Sequence, residues 1–332
     1  MLTRWYHLPS GLSFYVPFQV FYRLFCMICA LIYFLLFCLR EPISSCFRTR
    51  YAKNALPTLI TIRFSHYCEK ARWALDLLQH ASTRHEDEKQ KCSHNYVECA
   101  RSILTHMVTS LWHTSGFSSS TPIYITQDKR VLKESSLIMH YVSDELCKLG
   151  EPTLYPTSEV EELVNYFDET LGVHVRRYAY WMMFSSDDMT IELYQCWLRG
   201  TRKIERWIQR HFSGSIQALA TVGMQVHEQP SLISKQQIDE VFAKVNQMLE
   251  KHDGLYLLNT NYPTAADITF AALAYPVIFP PQCDDLIFEY DINRMSRNLY
   301  YQVSMYRGQR AGKFVLRMYE QDRIIHRIQP MS

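Results

Sequence analysis

The chain reads as an α/β unit followed by an all-α helical bundle, with one apolar span ahead of both. Three observations carry this. Strand-like and helix-like hydrophobic patterns alternate between residues 58 and 142. Strand patterns then fade beyond "GEPTLYP" at 150–156. Residues 18–39, "FQVFYRLFCMICALIYFLLFCL", carry Arg23 as their only charge. The domain plan is a tail at 1–17, a transmembrane anchor at 18–39 and a basic juxtamembrane linker at 40–57. An α/β domain at 58–149, a linker at 150–157 and an all-α domain at 158–325 follow.

As a helix, 18–39 would run about 33 Å, enough to cross a bilayer core. Arg40, Arg48, Arg50 and Lys53 follow the span, against Arg4 and Arg23 before or within it. The positive-inside bias predicts a single-pass protein with its C-terminal domains facing the cytosol. The endoplasmic reticulum and the mitochondrial outer membrane both suit that topology.

Over the full 332 residues, 35 basic and 33 acidic side chains leave a net charge of +2. Nucleic-acid binding needs a concentrated basic excess, so that class is excluded. The 10 cysteines are scattered without the spacing of a disulfide framework, as suits a reducing compartment. Cys26 and Cys29 form a CxxC pair inside the apolar run, away from the polar helix end that a reactive dithiol needs. Cys92, His94 and Cys99 match no standard zinc spacing, and no metal is expected.

In the α/β part, "TLITIRF" puts Ile60, Ile62 and Phe64 on one strand face. Ser65 ends the strand, and a helix begins at once, with Cys68, Ala71, Leu75 and Leu78 on one face. Glu69, Lys70, Arg72 and Asp76 fall mostly off that face. "NYVECA" reads as a short strand, and Ile103 to Leu111 as a helical stripe. Pro122 opens a further strand, Gln127 to Arg130 turn, and Val131 to Lys133 return as a hairpin. Glu134-Ser135 then leads into a helix bearing Leu137, Ile138, Tyr141 and Val142. That order is a thioredoxin-like α/β unit. Helical stretches follow near 158–184, 187–212, 234–252, 264–275 and 294–322. In "PTAADITFAAL", Thr264 stands as N-cap and Asp267 at N3.

"SHYCEKARWALD", "STPIYI", "LKESSLIMHYV" and "TAADITFAAL" together resemble the cytosolic-type glutathione transferases over roughly 58–325. The resemblance implies glutathione as co-substrate, no metal, and a homodimer. It places Ser65 as the hydroxyl that activates the glutathione sulfur and Cys68 at the resolving position of redox-active relatives. It implies a cis bond at Pro122, with the Thr121 backbone pairing with the cysteinyl part of glutathione. Glu134 and Ser135 would hold the γ-glutamyl end. The second substrate, an apolar electrophile or a hydroperoxide, would lie between the domains near Tyr178, Trp181 and Met182. His66 stands where many relatives have proline, which loosens the turn chemistry.

Physical chemistry accounts for these residue types. A helix N-terminus carries free N–H groups and partial positive charge, so a thiol there ionises more easily. A serine in the same place also serves as a simple helix cap. The expected activity is glutathione conjugation or lipid hydroperoxide reduction by a membrane-anchored transferase. Two other classes stay open: a non-catalytic docking module on an organelle membrane, and a glutathione-dependent thiol oxidoreductase using Cys68.

Overall fold

Three of the four residues of Thr58–Thr61 are β-branched, and the segment forms the inner strand β1 of a four-stranded sheet. The computed structural model describes residues 56–84, 94–103, 105–114, 120–185, 187–211, 213–252, 255–283 and 294–324. These belong to a unit beginning at Leu56. After β1 come α1 (His66–Arg84), β2 (Val97–Ala100), α2 (Thr105–His113), β3 (Ile123–Ile125), β4 (Val131–Lys133) and α3 (Ser135–Lys148). The sheet order is β2-β1-β3-β4. β2 runs parallel to β1, while β3 and β4 are antiparallel additions. Register sets Ile60 opposite Ile123 and Leu59 opposite Tyr124. Because side chains alternate, Leu59 and Tyr124 join the main core while Ile60, Ile123 and Ile125 form a second cluster on the other face. This is the thioredoxin-like mixed sheet expected of the α/β part.

The helical part holds α4 (Ser158–Tyr166), a π-helical turn (Phe167–Gly172), α5 (Val173–Phe184), α6 (Asp187–Leu198), α7 (Lys203–His211), α8 (Ser213–Gly223) and α9 (Glu228–His252). It continues with α10 (Ala265–Ile278), α11 (Arg297–Gly308), α12 (Arg310–Arg317) and a π-helical turn at Met318–Asp322. The stretch expected at 187–212 is two helices, and α8 was not foreseen. Its Gly- and Ser-containing sequence, "SGSIQALATVG", carries a weak helical signal. α10 is the centre of the bundle, with every residue but Pro276 buried. Its start is the expected one: the Thr264 N–H and hydroxyl donate to Asp267 Oδ2 at 2.8 and 2.6 Å, and the Leu257 N–H donates to Oδ1 at 2.8 Å.

The expected membrane topology requires correction. Among the described residues no helix is long and apolar enough to cross a membrane. The most apolar helix, α10, has 14 residues, about 21 Å of helix against a hydrocarbon core of about 30 Å. Its apolar surface is spent on packing within the bundle. The 25-residue α9 is long enough but carries charges throughout. The stretch 18–39 lies outside the described residues. The assignment as a single-pass membrane protein with cytosol-facing domains, and the two organelles attached to it, therefore does not stand.

The charged residues of α1 also differ from expectation. Glu69, Lys70, Arg72 and Asp76 are all buried, because residues 68–76 of α1 are enclosed throughout. They survive there by pairing. Arg72 bonds Glu98 of β2 at 2.7 Å and Glu69 at 3.2 Å. Arg323, just past the last π-helical turn, bonds Glu69 at 2.8 Å and Asp76 at 2.7 Å and lies over the Trp73 ring. Thr61 donates to Glu98, and Tyr96 to Asp76. The line Glu98, Arg72, Glu69, Arg323, Asp76 alternates in sign from the sheet to the chain's C-terminal segment.

Removing one cation from a buried pair leaves uncompensated charge, at a cost of about 3–5 kcal/mol. Arg323→Met is expected to lower unfolding free energy by about that amount, read from urea denaturation. Burial would push the Glu98 carboxyl up, but Arg72 and the Thr61 hydroxyl outweigh it and hold the carboxyl below its ordinary range. A depressed folded-state value means that the Glu98 contribution is complete above the unfolded value of about 4.3 and is lost as pH falls through the folded one. Urea midpoints across that acid range are expected to fall less steeply in Glu98→Gln than in the wild type.

Candidate functional site

The candidate site begins where β1 gives way to α1. The Ser65 N–H donates to the Ile62 carbonyl at 3.0 Å, and the Ser65 carbonyl accepts the Glu69 N–H at 2.9 Å, the first helical bond. Ser65 is half-buried, and its hydroxyl meets the Cys68 thiol. The Thr121 hydroxyl reaches the same thiol from the sheet side. Cys68 itself is fully buried. Burial pushes its thiol up, and the Arg72 guanidinium, the Ile62 backbone and the two hydroxyls offset this only in part. A thiol so placed stays protonated near neutrality and is a poor nucleophile.

The helical part grips this turn from three directions. The Tyr275 hydroxyl of α10 donates to the Phe64 carbonyl. The His66 ring is buried, and burial and the nearby Arg176 charge hold its pKa down to about 3. It is therefore neutral, and its Nε2–H donates to the Gly172 carbonyl at 2.8 Å. The Tyr67 hydroxyl donates to the Asp168 carbonyl at 3.0 Å. Gly172 is glycine for a steric reason: a Cβ there would lie 2.2 Å from the Tyr67 hydroxyl oxygen. Both accepting carbonyls belong to the π-helical turn, whose wider winding departs from the regular i to i−4 ladder. His66, in place of proline, thus ties the turn down instead of loosening it.

A second grip lies one turn along α1. The Lys70 ammonium is 2.7 Å from Asp168 Oδ2, and the Ser136 hydroxyl donates to the same oxygen at 2.6 Å. Lys70 also donates to Ser136 at 3.1 Å, which ties α1, α3 and the π-helical turn together. Burial pulls the Lys70 ammonium down, and Asp168 opposes it.

The Thr121–Pro122 bond is cis, as the resemblance implied. The N–H and C=O of Thr121 make no hydrogen bond among the described residues. Glu134 precedes α3 with φ 70° and ψ 147°, strained for a non-glycine residue, and its N–H donates to the Pro122 carbonyl at 3.2 Å. Its side chain is exposed and makes no ion pair among the described residues. Ser135 opens α3 and is buried. The starts of α1 and α3 and the Thr121 backbone are thus joined through the Thr121–Cys68 contact, the Glu134–Pro122 bond and the Lys70–Ser136 pair.

Tyr178 and Met182 are core residues of the helical part, 2% and 1% exposed, and line a hollow with Val277, Leu299 and Val303. Trp181 packs beside Tyr178 at 5.9 Å between centroids. The face of α5 turned to the Ser65 turn bears other residues: Tyr180 meets the Phe64 ring edge-on at 6.2 Å. Arg176, Tyr275, Lys70 and Asp168 were not singled out from sequence. Their partners lie far along the chain, so no local spacing announces them; the neighbouring positives of "HVRRYAYW" are the only cue. Among the described residues no group of His, Cys, Asp and Glu is arranged to hold a metal ion.

No protein-family model matches the chain. No curated protein matches it. Among solved structures it is similar to a glutathione S-transferase from Xanthobacter autotrophicus, at 16% identity over 82% of this chain and 97% of that one, TM-score 0.45. It is also similar to the β-etherase LigF from Sphingobium, at 14% identity over 79% and 98%, TM-score 0.46. A third is Ure2p in complex with glutathione, at 14% identity over 83% of this chain and 98% of that one, TM-score 0.43. Likeness of this order transfers neither activity nor residue roles.

The strained Glu134 backbone has a measurable cost, on the order of 1–3 kcal/mol. Glycine reaches this conformation freely at some entropic cost. Glu134→Gly is expected to be about 1 kcal/mol more stable than the wild type in urea unfolding, although it loses a charged side chain.

Proposed function

We propose that this chain binds glutathione at the junction of β1, β3 and α3 and activates its thiol for transfer to an apolar electrophile. The observation that carries the reading is the unpaired Thr121 backbone, set beside the starts of two helices. A peptide-like ligand gains main-chain bonds at such an edge as an added strand would. Glu134, exposed and unpaired, supplies the carboxylate for the γ-glutamyl ammonium. Ser135 and the first N–H groups of α3 suit its carboxylate. This arrangement leads the cysteinyl sulfur toward the start of α1.

There the Ser65 hydroxyl turns from Cys68 by one rotamer step and donates to the sulfur, while the end of α1 supplies further positive potential. Cys68 keeps the Thr121 hydroxyl and the Ile62 backbone as partners. A sulfur stabilised in this way loses its proton to solvent and forms a bond to an electrophilic carbon as that carbon's leaving group departs. With a hydroperoxide, the sulfur takes the terminal oxygen and an alcohol leaves; a second glutathione then gives the disulfide and water. The thiol oxidoreductase reading is disfavoured by the burial and raised pKa of Cys68.

The test is titration calorimetry of glutathione against the full chain at neutral pH, in two buffers of different ionisation enthalpy. The wild type is expected to bind with release of a fraction of a proton. Glu134→Ala should bind about tenfold more weakly, a loss of about 1.4 kcal/mol. Ser65→Ala should bind nearly as well but release less proton, since its sulfur keeps a higher pKa. Absence of binding by the folded wild type defeats the proposal and redirects the search to protein partners.

A further inference from the structure

The face of α5 beside the Ser65 turn carries a cation that the fold does not use. Gly172, Arg176 and Tyr180 follow at four-residue steps and so share one side of the helix. Gly172 accepts from His66 and packs under Tyr67, and Tyr180 packs on Phe64. Residues 64–67 therefore span the distance between these two contacts, with Ser65 among them and Arg176 midway opposite. Arg176 is exposed and makes no hydrogen bond or ion pair among the described residues. Its charge is felt at His66, Tyr67 and Tyr180. The buried cations nearby behave otherwise: Lys70 and Arg72 are spent on Asp168, Glu69 and Glu98.

We propose that Arg176 receives an acidic group on the second substrate, so that the preferred electrophiles are aromatic or otherwise apolar bodies bearing a carboxylate. This inference rests on the glutathione reading above and names the substrate class of the same site. A guanidinium offers paired donors in a plane that suits a carboxylate. Tyr180 and Phe184, tilted against each other at 5.7 Å between ring centroids on the same stretch of α5, provide apolar surface next to it. The helix ends and Arg176 together make the mouth electropositive, which also favours the sulfur as thiolate.

Two ready-made conjugates test this without requiring turnover: S-dinitrophenyl glutathione and the matching S-carboxynitrophenyl glutathione, titrated by calorimetry into the full chain. The wild type is expected to bind the carboxylated conjugate about tenfold more tightly, equivalent to about 1.4 kcal/mol. Added salt should shrink that preference. Arg176→Gln should bring the two affinities together without weakening the dinitrophenyl conjugate, and Arg176→Lys should keep part of the preference. Equal affinities in the wild type, or a preference that survives Arg176→Gln, would overturn the inference. Wild type that binds glutathione but neither conjugate overturns it while leaving the glutathione reading intact. Wild type that binds none of the three removes both.

Discussion

Buried charge organises this protein. Residues 68–76 of α1 are buried throughout, yet they include four charged side chains, Glu69, Lys70, Arg72 and Asp76. Each must be neutralised by an opposite charge, because an unpaired ion in such surroundings costs several kcal/mol. The alternating line from Glu98 to Asp76 satisfies that demand for all but Lys70, with Arg72 and Arg323 each shared between two carboxylates. Such pairs add little net stability over apolar packing. They act as a specification: α1 has one rotation and one depth at which all the charges are matched, and that setting fixes where Ser65 emerges.

The same demand makes the site a product of both structural parts. Lys70 finds its counter-ion on the π-helical turn, and Phe64, His66 and Tyr67 are held by α10 and that turn. The turn between β1 and α1 is short and lacks proline, so its own chemistry does not define its shape. Contacts from the helical part supply the definition. A ligand bound at Thr121 would therefore meet a surface already shaped, with little ordering to do.

Local signals account for what could be read from the sequence. Alternation marked β1, a polar turn marked the β3–β4 hairpin, and the Thr264–Asp267 pair marked the start of α10. The cis bond at Pro122 followed from resemblance. What escaped notice is non-local. Glu69 and Arg72 look like an exposed charged face until Arg323 and Glu98 are placed beside them. Asp168 sits in an ordinary helical pattern that gives no hint of a π-helical turn. The stripe Tyr178, Trp181, Met182 stood out for its chemistry, but helix rotation sends Tyr178 and Met182 into the core and turns Tyr180 toward Phe64. The apolar run at 18–39 suggested an anchor, while in the described residues the longest apolar helix is a core element.

The Arg323–Glu69 pair joins residues 254 positions apart, and this has a consequence for biogenesis. Ribosomes add about 5–20 residues per second, so α1 is made on the order of ten to fifty seconds before the residue that neutralises it. During that interval Asp76 lacks its cation and Glu69 has only Arg72, which it shares with Glu98, so burying them is unfavourable. The α/β part is thus kept from closing prematurely around α1 while the helical part is still being synthesised. The order of synthesis and the order of assembly are reversed at this point: the residue that completes the charge network around α1 is made 254 positions after Glu69.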